Sequence, residues 1–321
     1  MRRGDSGINC LLALDKPVGP SSHDVVGRVR RALGERRVGH AGTLDPDASG
    51  VLVVGVGQGA RLLGMLTLDE KAYEGRIVFG TETTTDDAEG DVTVTAPVPA
   101  ELFDEDYART AVAGLVGELD QVPPAFSAIS INGRRAYDRA RAGEVVELEP
   151  RHVRIHEARL LSVEQGDVCA WNVYVHVSKG TYVRSIARDL GRALGTAAHL
   201  DGLRRVASGS ITLDECLGLD ELDQLREAAI PGRCLDPVRA LGYPFWVLSE
   251  AEFADVSNGR RVEPGLCVDG HGAIREPARG ELVSLVYQGA LVGVWRREGA
   301  ALRCEANFPV GIVGVGGMHE R

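Results

Sequence analysis

The sequence predicts an α+β fold, and three observations carry that expectation. Strand-like and helix-like segments mix along the chain without a regular strand–helix–strand repeat. Beyond about residue 245 the pattern turns to short β-like runs. The length, 321 residues, fits roughly two domains of about 150 residues, with enough chain for a sizeable core.

Taken in order, Leu11 to Leu14 reads as a strand running into the tight turn Asp15-Lys16-Pro17-Val18-Gly19-Pro20. Ser21 to Asp24 offers N-caps for a helix through Val25, Val26, Val29 and Leu33, which Gly34 ends. Gly39 to Gly50 is rich in turn formers and reads as a loop, and Val51 to Val54 is a short buried strand. Ala72 to Phe79 alternates as a strand, whereas Thr81 to Asp91 is a polar, acidic loop. A helix around Tyr107 to Val116 precedes a loop at Pro123-Pro124. Arg151 to Val163 and Val168 to Val177 read as strands, and Gly180 to Leu194 starts as a loop and becomes a helix. Leu222 to Ala229 is helical. Pro231 to Pro244 is the expected boundary, giving a first domain over 1–240 and a small β-rich one over 245–321 that contains Leu282 to Tyr287 and Ala290 to Trp295.

Hydrophobic residues make up 44% and charged residues 26%, an ordinary soluble composition. The richest apolar stretch, Val51 to Leu68, is broken by glycines and Arg61, short of the ~18 residues a membrane helix needs. Ile8 to Leu14 is stopped by Asp15 and Lys16, and so reads as a strand rather than a secretory signal. Six scattered cysteines without a C-x-x-C pair fit reduced thiols and a cytoplasmic location. The net charge of −10 looks wrong for a nucleic-acid partner, but its distribution is uneven. Residues 1–61 carry nine Lys/Arg against six Asp/Glu, 69–120 three against fourteen, and 134–210 thirteen against nine. Two basic blocks flank an acidic one, which leaves room for a phosphate-binding face.

Several motifs fail on inspection. Gly55-Val56-Gly57-Gln58-Gly59-Ala60 resembles a dinucleotide loop but lacks a convincing strand–helix–strand setting and its acidic partner. Gly50 to Gly55 has P-loop spacing, with Val56 where the lysine belongs. His152 and His156 sit on a strand without a third ligand nearby, so no metal is expected. Asp86, Asp87, Glu89 and Asp91 miss the spacing of a calcium loop.

The informative segment is Gly39-His40-Ala41-Gly42-Thr43-Leu44-Asp45-Pro46-Asp47-Ala48-Ser49-Gly50. Physically it is a carboxylate fixed in a turn, with Pro46 restraining the backbone of Asp45. It matches the form G-H-x-G-x-L-D-P-x-A-x-G and does not stand alone. Leu14-Asp15-Lys16-Pro17 with Ser21-Ser22, Lys71-Ala72-Tyr73, Lys179-Gly180-Thr181-Tyr182-Val183-Arg184, and Ala198-His199-Leu200 with Leu203-Arg204-Arg205 follow in order. Together, over roughly residues 8 to 210, they resemble the TruB-type tRNA pseudouridine synthases of the bacterial stand-alone kind.

That resemblance implies a pseudouridine-synthase fold: a central mixed, largely antiparallel sheet flanked by helices, with a small PUA-like RNA-binding domain after it. It implies isomerisation of uridine 55 in the tRNA T-loop, by base flipping and an aspartate-dependent break of the N-glycosidic bond. No cofactor is implied. Asp45 would be the catalytic aspartate and His40 would contact the RNA. Tyr73 would stack on the uracil, Tyr182 would line the pocket and Leu203 would form its apolar wall. Arg184 would pair with Asp45, and Lys16 would support the floor. Arg61 and Asp87 align with polar positions near the family's site, although a surface salt bridge fits each as well. Attack at ribose C1′ (or a glycal route) and attack at base C6 both stay open, with the resemblance favouring the ribose.

Residues 121–152 resemble the insertion that grips the tRNA T-arm, with Arg134, Arg135, Arg139 and Arg141 as its basic face. Guide-RNA-dependent relatives lack most of it, so a monomer acting without guide RNA is expected. Arg134-Arg135 replaces a Lys pair and Thr84 stands where Asp is usual, departures that touch tRNA contacts rather than chemistry. A carboxylate glycoside hydrolase using Asp45 and Asp47 would leave Lys179 to Ile186 without a purpose. An RNA-binding chaperone with a decayed site is opposed by the intact Asp45, Tyr73 and Arg184.

Overall fold

The computed structural model describes residues 6–66, 70–127, 130–131, 134–135, 148–166, 168–225, 230–260 and 262–316. The chain divides into two compact units, one over 1–46, 50–68 and 208–321, the other over 47–49 and 69–207.

In the first unit, β3 (Ala48–Val56) pairs antiparallel with both β1 (Cys10–Lys16) and β2 (Val38–Ala41). All of β1 but Asp15 is buried, as its unbroken apolar run requires. Helix α1 (Ser22–Leu33) starts where the capping residues predict. Ser21 and Asp24 close a reciprocal capping box, and Gly34 ends the helix in the left-handed conformation (φ 62°). The glycines of the failed dinucleotide motif have a packing cause. A Cβ on Gly57 would stand 2.3 Å from the Ile8 carbonyl oxygen, and one on Gly59 2.2 Å from that of Cys10. They admit the neighbouring backbone rather than a pyrophosphate.

The same unit holds the short β13 (Ile211–Thr212) and a six-stranded sheet in the order β16-β15-β14-β17-β18-β19. Its strands are β14 (Phe245–Val247), β15 (Cys267–Val268), β16 (Ile274–Arg275), β17 (Leu282–Tyr287), β18 (Ala290–Glu298) and β19 (Ala301–Ile312). The described pairs are antiparallel except β14 with β17. Alternation gives the sheet two apolar faces. Phe245, Val286, Val294 and Phe308 join Leu11, Ala13, Val51 and Val53 in one core cluster. Trp246, Val283, Leu285 and Trp295 form another with Val256, from the helix Glu250–Ser257. The expected β-rich C-terminal region is therefore present, and it shares a core with β1 and β3.

The second unit contains the sheet order β12-β4-β11-β10-β7, from β4 (Lys71–Phe79), β7 (Gly117–Gln121), β10 (Arg151–Glu164), β11 (Ala170–Val177) and β12 (Ala198–Ser208). Two hairpins, β5 (Thr81–Thr83) with β6 (Val92–Thr95) and β8 (Ser130–Ile131) with β9 (Arg134–Arg135), are separate. Helices α2 (Glu105–Ala113) and α3 (Val183–Ala193) complete the unit. The α+β expectation holds. Several strands escape the sequence pattern, among them β2, which begins the expected loop, β5, which takes the first three residues of the expected acidic loop and pairs with β6, β12 inside a motif, and β19 past the last apolar run. The helix expected at Tyr107 starts two residues earlier, where Asp104 caps it by accepting from the Tyr107 N–H. Half of the expected T-arm insertion over 121–152, namely 128–129, 132–133 and 136–147, lies outside the described residues, as does 226–229 of the helix expected to end at Ala229.

Candidate active site

Asp45 sits in the loop between β2 and β3, exposed, with its backbone held from both sides. On one side, Ser22 at the start of α1 accepts from the Leu44 N–H and donates to the Leu44 carbonyl, both at 2.9 Å. On the other, the Pro46 carbonyl accepts from the Gly19 N–H at 2.9 Å and from Lys16 Nζ at 3.1 Å. Lys16 is fully buried, and its ammonium also donates to the Pro17 carbonyl at 2.9 Å. A buried ammonium needs such acceptors to offset its lost hydration. The segments Lys16-Pro17 and Ser21-Ser22 thus clamp the residues before and after the aspartate while leaving Asp45 itself exposed. His40, half-buried on β2, lies across from Val54. Arg61 donates to the Asn307 carbonyl and lies 5.4 Å over the Phe308 ring. Its described contacts are with β19, not with a surface carboxylate.

The second unit presents the aromatic and apolar candidates. Tyr73, 9% exposed, lies on β4. Two residues on, and therefore on the same face, is Gly75, where a Cβ would stand 3.6 Å from Leu203 Cδ1 and 3.1 Å from Leu200 Cδ1. Leu203 thus covers the face that Tyr73 occupies. Tyr182 is the N-cap of α3, and its backbone is held by a residue the sequence did not single out. The buried Gln121 accepts from the Tyr182 N–H at 2.9 Å and donates to the Tyr182 carbonyl at 3.1 Å. A glutamine ending an alternating strand gives no signal in sequence that it faces inward.

At the second residue of α3, Arg184 donates to Asp87 Oδ2 and to the Thr85 carbonyl, both at 3.1 Å, and to the Phe126 carbonyl at 3.2 Å. Asp87 belongs to the same unit as Arg184, and the expected partner, Asp45, to the other. Asp87 is itself shaped by the Glu89 N–H at 3.2 Å and the Thr85 hydroxyl. One helical turn further, Arg188 reaches Asp86 at 2.7 Å and the Val122 carbonyl at 2.9 Å. Burial pushes the Asp86 carboxyl up despite the guanidinium beside it, so desolvation outweighs the pair. The acidic loop is fastened to β12 as well: the Leu200 N–H donates to the Asp86 carbonyl at 3.1 Å and the Ala88 N–H to that of Leu200 at 3.0 Å. What reads in sequence as an unpatterned acidic turn is the seat of two arginines from α3.

The sequence matches the TruB family pseudouridylate synthase N-terminal domain over residues 30–183 and the tRNA pseudouridylate synthase B C-terminal domain over 184–241. It is 46% identical over 281 residues to "tRNA pseudouridine synthase B" of Mycobacterium sp. (strain KMS), covering 87% of this chain and 92% of that one. The chain belongs to the TruB family. As a member it is a pseudouridine-forming isomerase. A relative of the same name from Thermobifida fusca (strain YX) is 47% identical over 259 residues, covering 79% of this chain and 86% of its own. Among solved structures, the archaeal box H/ACA sRNP Nop10–Cbf5 complex shares the fold, with a TM-score of 0.66 at 23% identity over 93% of this chain and 85% of that one. A Cbf5–Nop10–Gar1 complex matches with a TM-score of 0.67 at 24% identity, covering 94% and 85%. Among the described residues no helix is long and apolar enough to cross a membrane.

Proposed function

We propose that this enzyme isomerises uridine 55 in the T-loop of tRNA, acting on the T-arm as a monomer without guide RNA or cofactor, in the cytoplasm. The observation that carries the reading is the clamped Asp45 loop: fixed backbone on both sides, exposed aspartate between. Relatives at 46–47% identity that bear the name tRNA pseudouridine synthase B support the substrate class.

In this reading the target base leaves the stack before reaction. Tyr73 stacks on the extruded uracil, Tyr182 lines the pocket and Leu203 closes its apolar side, a surround suited to an unstacked base. His40 contacts the RNA. Asp45 acts ionised at the ribose, as a nucleophile or as a stabiliser of positive charge there. The N1–C1′ bond breaks, the base turns, and a C5–C1′ bond forms. The C5 hydrogen leaves and N1 gains a proton, so the nucleoside keeps its composition. Arg184, seated by Asp87, orients Asp45; Lys16 keeps the loop beneath it in place. The residues around 121–152 grip the T-arm, and the β-rich region over 245–321 serves as a PUA-like RNA-binding domain. Incubating unmodified tRNA with the protein and mapping pseudouridine tests the reading: a single product at position 55 supports it, and product elsewhere or none contradicts it.

A further inference from the structure

Cys10 and Cys234 form a thiol pair that the Asp45 chemistry does not use. All six cysteines are free. Cys10 begins β1 and is fully buried, and Cys234 is half-buried in the segment before the helix Pro237–Leu241. An isolated antiparallel bridge joins the residues that follow them, Leu11 and Leu235, and the Leu235 N–H donates to the Leu11 carbonyl at 2.9 Å. Leu11 and Leu235 both enter the core cluster that contains Val51 and Phe245. Successive side chains on extended backbone point to opposite faces, so Cys10 and Cys234 share the other face, at diagonal positions.

The segment after β19 packs against the same place. The Val313 N–H donates to the carbonyl of Asn9, the residue before Cys10, at 3.0 Å, and a Cβ on Gly314 would stand 3.0 Å from Cys234 Cβ. All of these residues belong to one unit. The Cys10 thiol donates to the Cys234 sulfur, which also lies 3.1 Å from the Ile230 carbonyl oxygen. That hydrogen bond and burial push the Cys10 thiol up, while the same hydrogen bond, received, holds the Cys234 thiol below its usual range. Burial without such a donor pushes Cys169 up to about 11. The thiolate is the reactive form of cysteine, so Cys234 is the nucleophilic member of the pair and Cys10 the resolving one.

We propose that Cys10 and Cys234 are a reversible oxidation site, closed to a disulfide by hydrogen peroxide. The Cys234 sulfur attacks one peroxide oxygen, the O–O bond breaks, and the departing hydroxide takes up the thiol proton to give water. Cys234 is then a sulfenic acid. The Cys10 sulfur attacks it, the S–S bond forms, and the sulfenic hydroxyl leaves with the Cys10 proton as a second water. Two thiols are oxidised and one peroxide is reduced to two waters. The new bond ties the start of β1, whose far end carries Lys16, to the segment leading into the helix Pro237–Leu241. Closure between diagonal positions is strained, and a strained disulfide is readily reduced; a dithiol, itself oxidised to a disulfide, restores the pair. The proposal is independent of which RNA the enzyme modifies.

The test treats the folded, full-length chain with hydrogen peroxide, alkylates the remaining thiols in denaturant, and maps unreduced peptides by mass spectrometry. The expected result is equal loss of free Cys10 and Cys234, one peptide pair linked through them, and return of both thiols after dithiothreitol. Cys304, exposed and with its thiol pushed up by desolvation, is expected to stay free at doses that close the pair. In Cys10→Ala the link is lost and Cys234 is trapped by dimedone as a sulfenic acid. Should that variant not fold, the peptide map of the unaltered chain decides alone. Cys10 that stays fully alkylatable while Cys234 or Cys304 oxidises overturns the proposal. So does a Cys10–Cys234 link that forms only above the melting transition, which marks a reaction of the unfolded chain.

Discussion

Lys16 Nζ lies 3.1 Å from the carbonyl oxygen of Pro46, the residue that follows Asp45. A fully buried charge at the end of β1 thus holds the backbone of the loop that carries the candidate catalytic carboxylate. A group that reacts at one atom depends on such placement, because a misplacement of about 1 Å can cost about a hundredfold in rate.

Lys16→Met fills the same space without the donors. Its kcat falls by about a hundredfold while the tRNA KM stays within a few fold. Stability drops by about 1–3 kcal/mol as the Pro17 carbonyl loses this donor, the Pro46 carbonyl keeping the Gly19 N–H. Single-turnover kinetics and chemical denaturation check the two effects separately.

Gln121→Leu removes both hydrogen bonds to the Tyr182 backbone and leaves a peptide group unmet at the start of α3. The expected loss is about 1–3 kcal/mol of stability, with a several-fold lower turnover as Tyr182 shifts. Gln121→Glu keeps the acceptor for the Tyr182 N–H but loses the donor, and falls between the two in thermal melting.

Arg184→Lys replaces a planar fork that serves Asp87 and two carbonyls with a single ammonium. The single-turnover rate is expected to fall by tenfold or more, on the order of 1.4 kcal/mol in barrier, with RNA binding retained. A rate equal to that of the unaltered enzyme rules out the positioning role.

Glu82 is held by two hydrogen bonds from Arg192, at 2.8 and 2.6 Å, and they keep its carboxyl below its usual 4.5. The pair therefore stabilises the fold above the ordinary carboxylate value, and its contribution is lost as pH falls through the depressed value. Glu82→Gln has nothing to titrate there. Its melting temperature is expected to decline less steeply between about pH 5 and pH 3 than that of the unaltered protein.

The legible parts of the fold share one property: a local pattern that answers to a local cause. β1 and β4 announce themselves by apolar runs and alternation, and α1 by its capping serine and terminal glycine. Asp45, Tyr73, Tyr182 and Arg184 stand out through motifs in a fixed order. What the sequence hid depends on long-range partners. β12 lacks a simple alternation because Asp201 answers to Arg76 on β4 and the Leu200 backbone to the acidic loop. Gln121 is buried only because Tyr182, sixty-one residues later, needs its amide. The acidic loop looks like a solvated turn until α3 supplies Arg184 and Arg188.

The most direct measurement is tritium release from tRNA carrying 5-tritiated uridine, made with Asp45→Asn alongside the unaltered enzyme. The amide keeps the shape of the side chain but is a poor nucleophile and carries no charge. The account predicts no release above background while tRNA binding, followed by filter retention, persists. Near-normal release from Asp45→Asn contradicts it.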